Sequence, residues 1–238
     1  MHKIKLSFLC NNTKFKKMIE KKYHKEAFDR IDDERKNQIL EVGTEEFASK
    51  GYDGANINII AKKAGISIGL MYKYFSTKED LFITCLKYGM DILVKALYDI
   101  MVSEDKLLIK AEKLIRTICM HSRKHTKYIK MYNEINNIKN SAERVRAIAE
   151  EIESKRSSIY ITSIEEALSR GDVRSDMDAK FFAFFLDNLM TSLQFAYTCD
   201  YYKEKFRIYT GIDVNECDDE QIITELLKFI ESAFSFGK

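Results

Sequence analysis

Proline is absent from this chain and glycine occurs only nine times. Sandwiches and barrels that depend on proline and glycine turns are thereby disfavoured, and helices accommodate such a composition best. No segment approaches the roughly 18 consecutive apolar residues of a transmembrane helix; the greasiest stretch, Phe181 to Leu186, is interrupted at Asp187 and Asn188. Lys3 and Lys5 ahead of residues 6–10 imitate a signal peptide faintly, but that apolar run is too short for one. The five cysteines (Cys10, Cys85, Cys119, Cys199, Cys217) are scattered and form no C-x-x-C pair, which argues against a disulfide framework or a zinc site. They are read as reduced thiols of a cytoplasmic protein. There is no glycine-rich phosphate loop, no G-x-S-x-G elbow and no H-E-x-x-H, and the four histidines are dispersed. Neither catalysis nor a metal or other cofactor is expected.

What remains is a chain of 238 residues, 45% hydrophobic and 32% charged, enough for one or two folded units with a real core. Its net charge of +2 is unevenly spread: residues 1–30 carry nine Lys or Arg against three acids. A basic arm on a near-neutral protein is drawn to polyanions, either nucleic acid or an anionic membrane face. A solvated lysine-rich helix explains the same charges.

Helical periodicity runs through the sequence. Phe15, Met18, Ile19, Tyr23, Ala27 and Phe28 predict a helix over 13–31. Asp32 or Asp33 can cap a second helix carrying Ile39, Leu40, Gly43 and Phe47 and ending at Lys50-Gly51. Asn56 is a candidate N-cap for a short helix that Ala64-Gly65-Ile66 breaks, and Ser67 caps the next, over 68–75. Ser76 with Glu79, or Thr77 with Asp80, makes a capping box for a long helix to about Val102. Further helices are predicted over 104–122, 125–138, 141–169, 178–206 and 219–235. The expectation is an all-α protein.

Two short helices joined by a tight turn containing Gly65 fit a helix-turn-helix, whose second helix enters the DNA major groove. Around them stand Ile39-Leu40, Phe47-Ala48, Gly51-Tyr52, Ile60-Ala61, Ala64-Gly65-Ile66-Ser67, Gly69, Tyr72, Tyr74-Phe75 and Lys78-Glu79-Asp80-Leu81-Phe82. In that order, across about residues 33–93, they resemble the TetR/AcrR family of bacterial repressors. The resemblance implies an N-terminal three-helix DNA-binding unit (33–93, helix-turn-helix 56–75) and a divergent helical domain (94–238) that dimerises and binds a small effector. The basic extension, 1–32, lies outside the usual family core. It is open between an arm reaching the minor groove, a helix packed on its own domain, and a start codon set too early.

The resemblance puts Asn56, Asn58, Ser67, Ile68, Gly69, Leu70, Tyr72, Lys73, Tyr74 and Lys78 on the DNA. Ser67 and nearby backbone N–H groups suit a phosphate, Gly69 admits the duplex closely, and the tyrosine rings suit sugar or thymine methyls. Lys73 adds charge, and Lys78 and the two asparagines would hold phosphates. Met71 and Phe75 are read as core. Ile68 and Leu70 stand where the family often has polar residues; they cannot hydrogen-bond base edges, so readout should lean on DNA shape.

Beyond residue 94 only composition speaks. A stretch apolar on nearly every side, Phe181 to Leu186, needs cover on both flanks. The family's usual four-helix dimer interface would fall at 178–203 and 219–235, with Phe182, Leu186, Leu189, Leu193, Ile223, Leu227 and Ile230 as candidates. Tyr128, Met131, Tyr132, Phe185 and Met190 suit an apolar or aromatic effector, with His121 or His125 as polar anchor. The expected partners are a palindromic double-stranded operator, a small effector and a second copy of the chain, with no membrane. By family analogy, the effector tilts the first long helix and releases a repressor. The alternative is a helical membrane-surface or protein-binding module that uses the basic N-terminal helix.

Overall fold

The computed structural model describes residues 22–135 and 142–234. Eleven helices are described: α1 (Glu26–Asp29), α2 (Asp33–Gly54), α3 (Ile57–Lys63), α4 (Ile68–Tyr74), α5 (Lys78–Met101), α6 (Leu107–Lys124), α7 (Thr126–Glu134), α8 (Ala142–Arg170), α9 (Ala179–Thr198), α10 (Asp200–Thr210) and α11 (Asp219–Phe234). No strand occurs among the described residues.

The starts of α2 to α5 follow the capping signals. Asp32, Asn56 and Ser67 accept hydrogen bonds from the backbone N–H groups of Arg35, Asn58 and Leu70, and Thr77 with Asp80 closes a capping box. Gly51 adopts φ +68°, and the regular part of α2 breaks there. Gly65 takes φ +66° in the turn between α3 and α4, a backbone that a residue with a Cβ rarely adopts.

Two expected helices are corrected. Within the described part of 13–31 only Glu26–Asp29 is helical, and residues 13–21 lie outside the described residues. The reason is a long-range bond: Lys25 N–H donates to the Tyr74 carbonyl (2.8 Å), which holds Lys25 extended at the end of α4. The helix expected over 178–206 is broken at Cys199, whose backbone is extended. The Thr198 hydroxyl bonds back to the Gln194 carbonyl (2.9 Å), and Cys199 drops into a small cluster with Ile129 and Phe195. Both pull the chain off the helical path.

Two larger cores organise the molecule. The first gathers Phe28, Phe47, Ile60, Met71, Phe75, Phe82 and neighbours, and it also takes Met131 of α7 and Val145, Ile148 and Ile152 of α8. The second holds Leu97 and Met101 of α5 with residues of α6, α8, α9 and α11. The helix α5 therefore runs from one core into the other.

Candidate nucleic-acid interface

The short α4 is held by its buried side. Met71 and Phe75 are fully buried, as expected of core residues, whereas Ile68 and Tyr72, placed on the same helix face by periodicity, are 38% and 46% exposed. The turn is braced from α2, where the Arg35 guanidinium donates to the Gly65 carbonyl (3.0 Å). From the N-terminal side the Lys25 ammonium donates to the Tyr72 carbonyl (2.8 Å). Neither Lys25 nor Arg35 was a sequence candidate, because both act on positions at least 30 residues away.

The outer side of this unit carries most of the expected contact residues together. Asn56, Asn58, Ser67, Ile68, Gly69, Tyr72 and Lys73 are exposed, and Ile59 and Lys62 are exposed beside them on α3. Leu70 is half-buried against the first core. Tyr74 is corrected: only 6% exposed, it packs edge-on against Phe28 at 5.6 Å and belongs to the core. Its burial comes from Phe28 of α1, which the local pattern of α4 does not reveal. Lys78 is half-buried over the Tyr52 ring, with Nζ 3.2 Å from the carbonyls of Asp53 and of Ala55. An ammonium has three N–H donors, so one remains for a phosphate.

The expected effector residues scatter. A small cavity of about 40 Å³ lies between α5, α6, α8 and α9, walled by Met90, Leu97, Ile118, His121, Arg156 and Met190 among others. Of the sequence candidates only His121 and Met190 reach it. His125 stacks on His121 at 5.1 Å. Tyr128 is buried against Tyr88, with its hydroxyl on the Glu41 carboxylate of α2, and Met131 belongs to the first core. The Tyr132 hydroxyl donates to Glu153, and Phe185 is 58% exposed. These four are corrected because side chains on α7 turn toward α2 and α8, while Phe185 faces outward. Burial lowers the His121 pKa, and His125 is lowered by burial and then by His121.

Arg156 was missed altogether. Its guanidinium is buried, with Nη2 2.5 Å from Asp187 Oδ1 and 2.6 Å from Thr191 Oγ1. Burial works against its charge, yet Asp187 and Glu153 outweigh that and raise its pKa. Its sequence neighbourhood is an ordinary charged helix, so nothing local marks it.

The interface candidates are corrected as well. Leu186, Leu193, Ile223 and Ile230 are buried inside the protomer, Leu227 is half-buried on the same core, and Phe182 packs edge-on against Phe234 at 4.1 Å. Leu189 lines an apolar groove of about 520 Å³ between α9, α10 and α11. On α9 and α11 the outward apolar residues are Phe181, Phe184, Phe185 and Phe229. A helix apolar on all sides gives periodicity no way to select its outer face. Among the described residues no helix is long and apolar enough to cross a membrane, and no cluster of metal-ligating side chains occurs. Cys85, Cys119, Cys199 and Cys217 are free thiols; Cys10 lies outside the described residues.

Residues 39–85 match the family model described as bacterial regulatory proteins, tetR family. The chain is 39% identical over 62 residues to the HTH-type transcriptional activator FasR of Mycolicibacterium smegmatis, a match covering 26% of this chain and 28% of that protein. The matched stretch thus spans little more than a quarter of that relative. The fold extends the likeness further. The structure of the transcriptional regulator FadR from Bacillus subtilis in complex with stearoyl-CoA superposes with a TM-score of 0.64 at 19% identity, covering 83% of this chain and 98% of that one. That of AibR in complex with isovaleryl coenzyme A and operator DNA gives 0.62 at 19% identity, covering 82% and 97%. A capped helix-turn-helix carries the segment, residues 39–85, that matches the model of the tetR family of bacterial regulatory proteins.

Proposed function

We propose that this protein is a DNA-binding transcriptional regulator, a repressor whose hold on a palindromic operator is loosened by a small apolar ligand. The observation that carries this reading is the continuity of α5. Its first turn follows the reading helix α4, and residues 90–97 wall the cavity. A ligand that enlarges the cavity pushes on α5 and changes the angle at which α4 is presented. The solved neighbours hold stearoyl-CoA and isovaleryl coenzyme A, and the apolar wall of Met90, Leu97, Ile118 and Met190 suits an acyl chain. We assign the ligand to the fatty acyl class.

In this reading residues 33–93 form the DNA-binding unit and 94–238 the ligand-binding and dimerising unit. DNA contacts come from Asn56, Asn58, Ser67, Ile68, Gly69, Tyr72, Lys73 and Lys78. Exposed aromatic rings on α9 and α11 form the surface that meets a second copy, and the free thiols fit a cytoplasmic site. Fluorescence anisotropy on DNA from upstream of its own gene, with competitor DNA and several salt concentrations, tests the reading. Operator binding should survive competitor and weaken in Tyr72→Ala and Lys73→Ala. Binding that competitor abolishes, or that anionic vesicles match, would sink it.

A further inference from the structure

The Arg156 guanidinium stands between two spaces. On its inner side lies the small cavity, about 40 Å³, of which Arg156 is part of the wall. Liquid water occupies about 30 Å³ per molecule, so this cavity has room for little more than one small group. On the other side an open cleft of about 550 Å³ between α8 and α9 is lined by Glu153, Lys180, Phe184, Asp187 and Thr191 among others. Three of these, Glu153, Asp187 and Thr191, are the groups to which Arg156 points. The partition between cleft and cavity therefore contains a buried cation tied to partners on the cleft side.

A buried ion pair is a weak source of stability, because desolvation cancels most of its Coulomb gain and apolar side chains of similar volume do as well or better. The two partners here are also unequal. The Arg156 side chain is 10% exposed, whereas that of Asp187 is 20% exposed and borders the open cleft. Water in the cleft can solvate Asp187 when it is released; Arg156 must find another acceptor. His121 stands on the same cavity wall, with a buried Nδ1 that has no hydrogen-bond partner among the described residues. An apolar space bounded by a cation with an exchangeable partner and by an unsatisfied ring nitrogen suits an apolar chain that ends in a carbonyl or carboxylate oxygen.

We propose that Arg156 and Asp187 form the latch of the ligand site: the oxygen of a fatty acyl group replaces Asp187 on Arg156, the chain enters between Met90 and Met190, and the rest of the ligand lies in the cleft beside Lys180. The proposal rests on the ligand-responsive reading above and names the group that recognises the ligand. The unbranched thioethers of Met90 and Met190 can change rotamer to admit the chain. Since the cavity has room for little more than one small group, admission separates α5 from α9. A free fatty acid and an acyl thioester share the recognised chemistry and differ in what occupies the cleft.

The test is calorimetric titration of decanoate, decanoyl-CoA and 1-decanol into the full-length protein and into two variants. Arg156→Met with Asp187→Leu replaces the pair by apolar groups; Arg156→Lys keeps the charge and loses the planar fork. Wild type should bind an acyl probe once per protomer. The double variant should weaken decanoate and decanoyl-CoA at least tenfold and 1-decanol less than threefold, and Arg156→Lys should weaken the acyl probes severalfold. Circular dichroism and the melting temperature show whether the double variant is folded; if it is not, Arg156→Lys decides. Tighter decanoate identifies the free acid, and tighter decanoyl-CoA a thioester with its headgroup in the cleft. Acyl affinity unchanged in a folded variant overturns the latch. So does a wild-type protein that holds its operator and binds neither acyl probe, although the regulator reading would then survive. Acyl binding that depends on Arg156 in a protein without operator affinity supports the latch and removes the regulator reading instead.

Discussion

The two cores of this molecule are built on different principles. The first is closed by aromatic rings, with Phe47, Tyr52 and Phe82 in mutual contact at 5.1 to 6.3 Å and Phe28 tilted on Phe75 at 4.9 Å. The second region buries cations. Lys110 is fully buried, with Nζ 2.6 Å from the Met101 carbonyl and 3.3 Å from Ser163 Oγ, and Arg156 sits beside an unfilled cavity. Dense apolar packing has one good arrangement, which is what a surface presented to a duplex requires. Buried polar groups whose partners can be exchanged have more than one, which suits the ligand response proposed for this region. Between the two lies a joint in which Tyr128 and Lys127 of α7 both bind Glu41 of α2.

The sharpest break in that contrast is Phe47→Ala. Emptying a fully buried ring site in the first core should cost about 3–5 kcal/mol and abolish operator binding, as urea unfolding and anisotropy would show. Next comes the joint. A Cβ built on Gly89 would lie 2.1 Å from Tyr128 Cδ1, so Gly89→Ala should cost about 1–3 kcal/mol by overpacking. It should also loosen the coupling, read as a smaller ligand-induced change in operator affinity. A stable Gly89→Ala protein with intact ligand response would mean that α7 can move away without consequence.

Ser67→Ala removes an N-cap and should cost about 1 kcal/mol of stability. Lys73→Ala should leave stability alone and flatten the salt dependence of operator binding by about one unit of slope. The second region should also respond to acid. His121 and His125 are held below the ordinary imidazole value of 6.5, chiefly by burial. The unfolded chain then binds protons more readily. Their contribution is complete above that value and is lost as pH falls through it toward the lower folded values. The urea midpoint should decline on acidification through this range, and less steeply in His121→Gln; identical profiles for the two proteins would contradict the assignment. The smallest effect within a protomer is expected for Phe185→Ala, within about 0.5 kcal/mol for an exposed position. Sedimentation should nonetheless register it if α9 meets a second copy.

Much of the first region was legible in the sequence because its signals are local. Capping side chains act within three residues, glycine turns within one, and the order of motif residues over 39–85 is covalent. The exposed set Asn56, Asn58, Ser67, Gly69, Tyr72 and Lys73 was named by the family resemblance that those motif residues carry. Tyr74 did not, because its cover comes from Phe28, 46 positions earlier in the numbering. In the second region most helices were legible, but neither the break at Cys199 nor the faces of the helices were. Phe181 to Leu186 offers no polar side to orient it, so Phe182 and Leu186 turned inward while Phe185 turned out.

The sequence by itself determined the helical class and the helix starts at Asn56 and Ser67, and narrowed two others to Asp32 or Asp33 and to Ser76 or Thr77, since propensity, capping and turn chemistry depend on neighbours along the chain. Only the tertiary structure decided which rings are core, where α9 ends, and that Arg156, Asp187 and Thr191 converge between a cavity and a cleft. Burial and charge pairing depend on helices that meet in space, and periodicity carries no record of which helix will arrive.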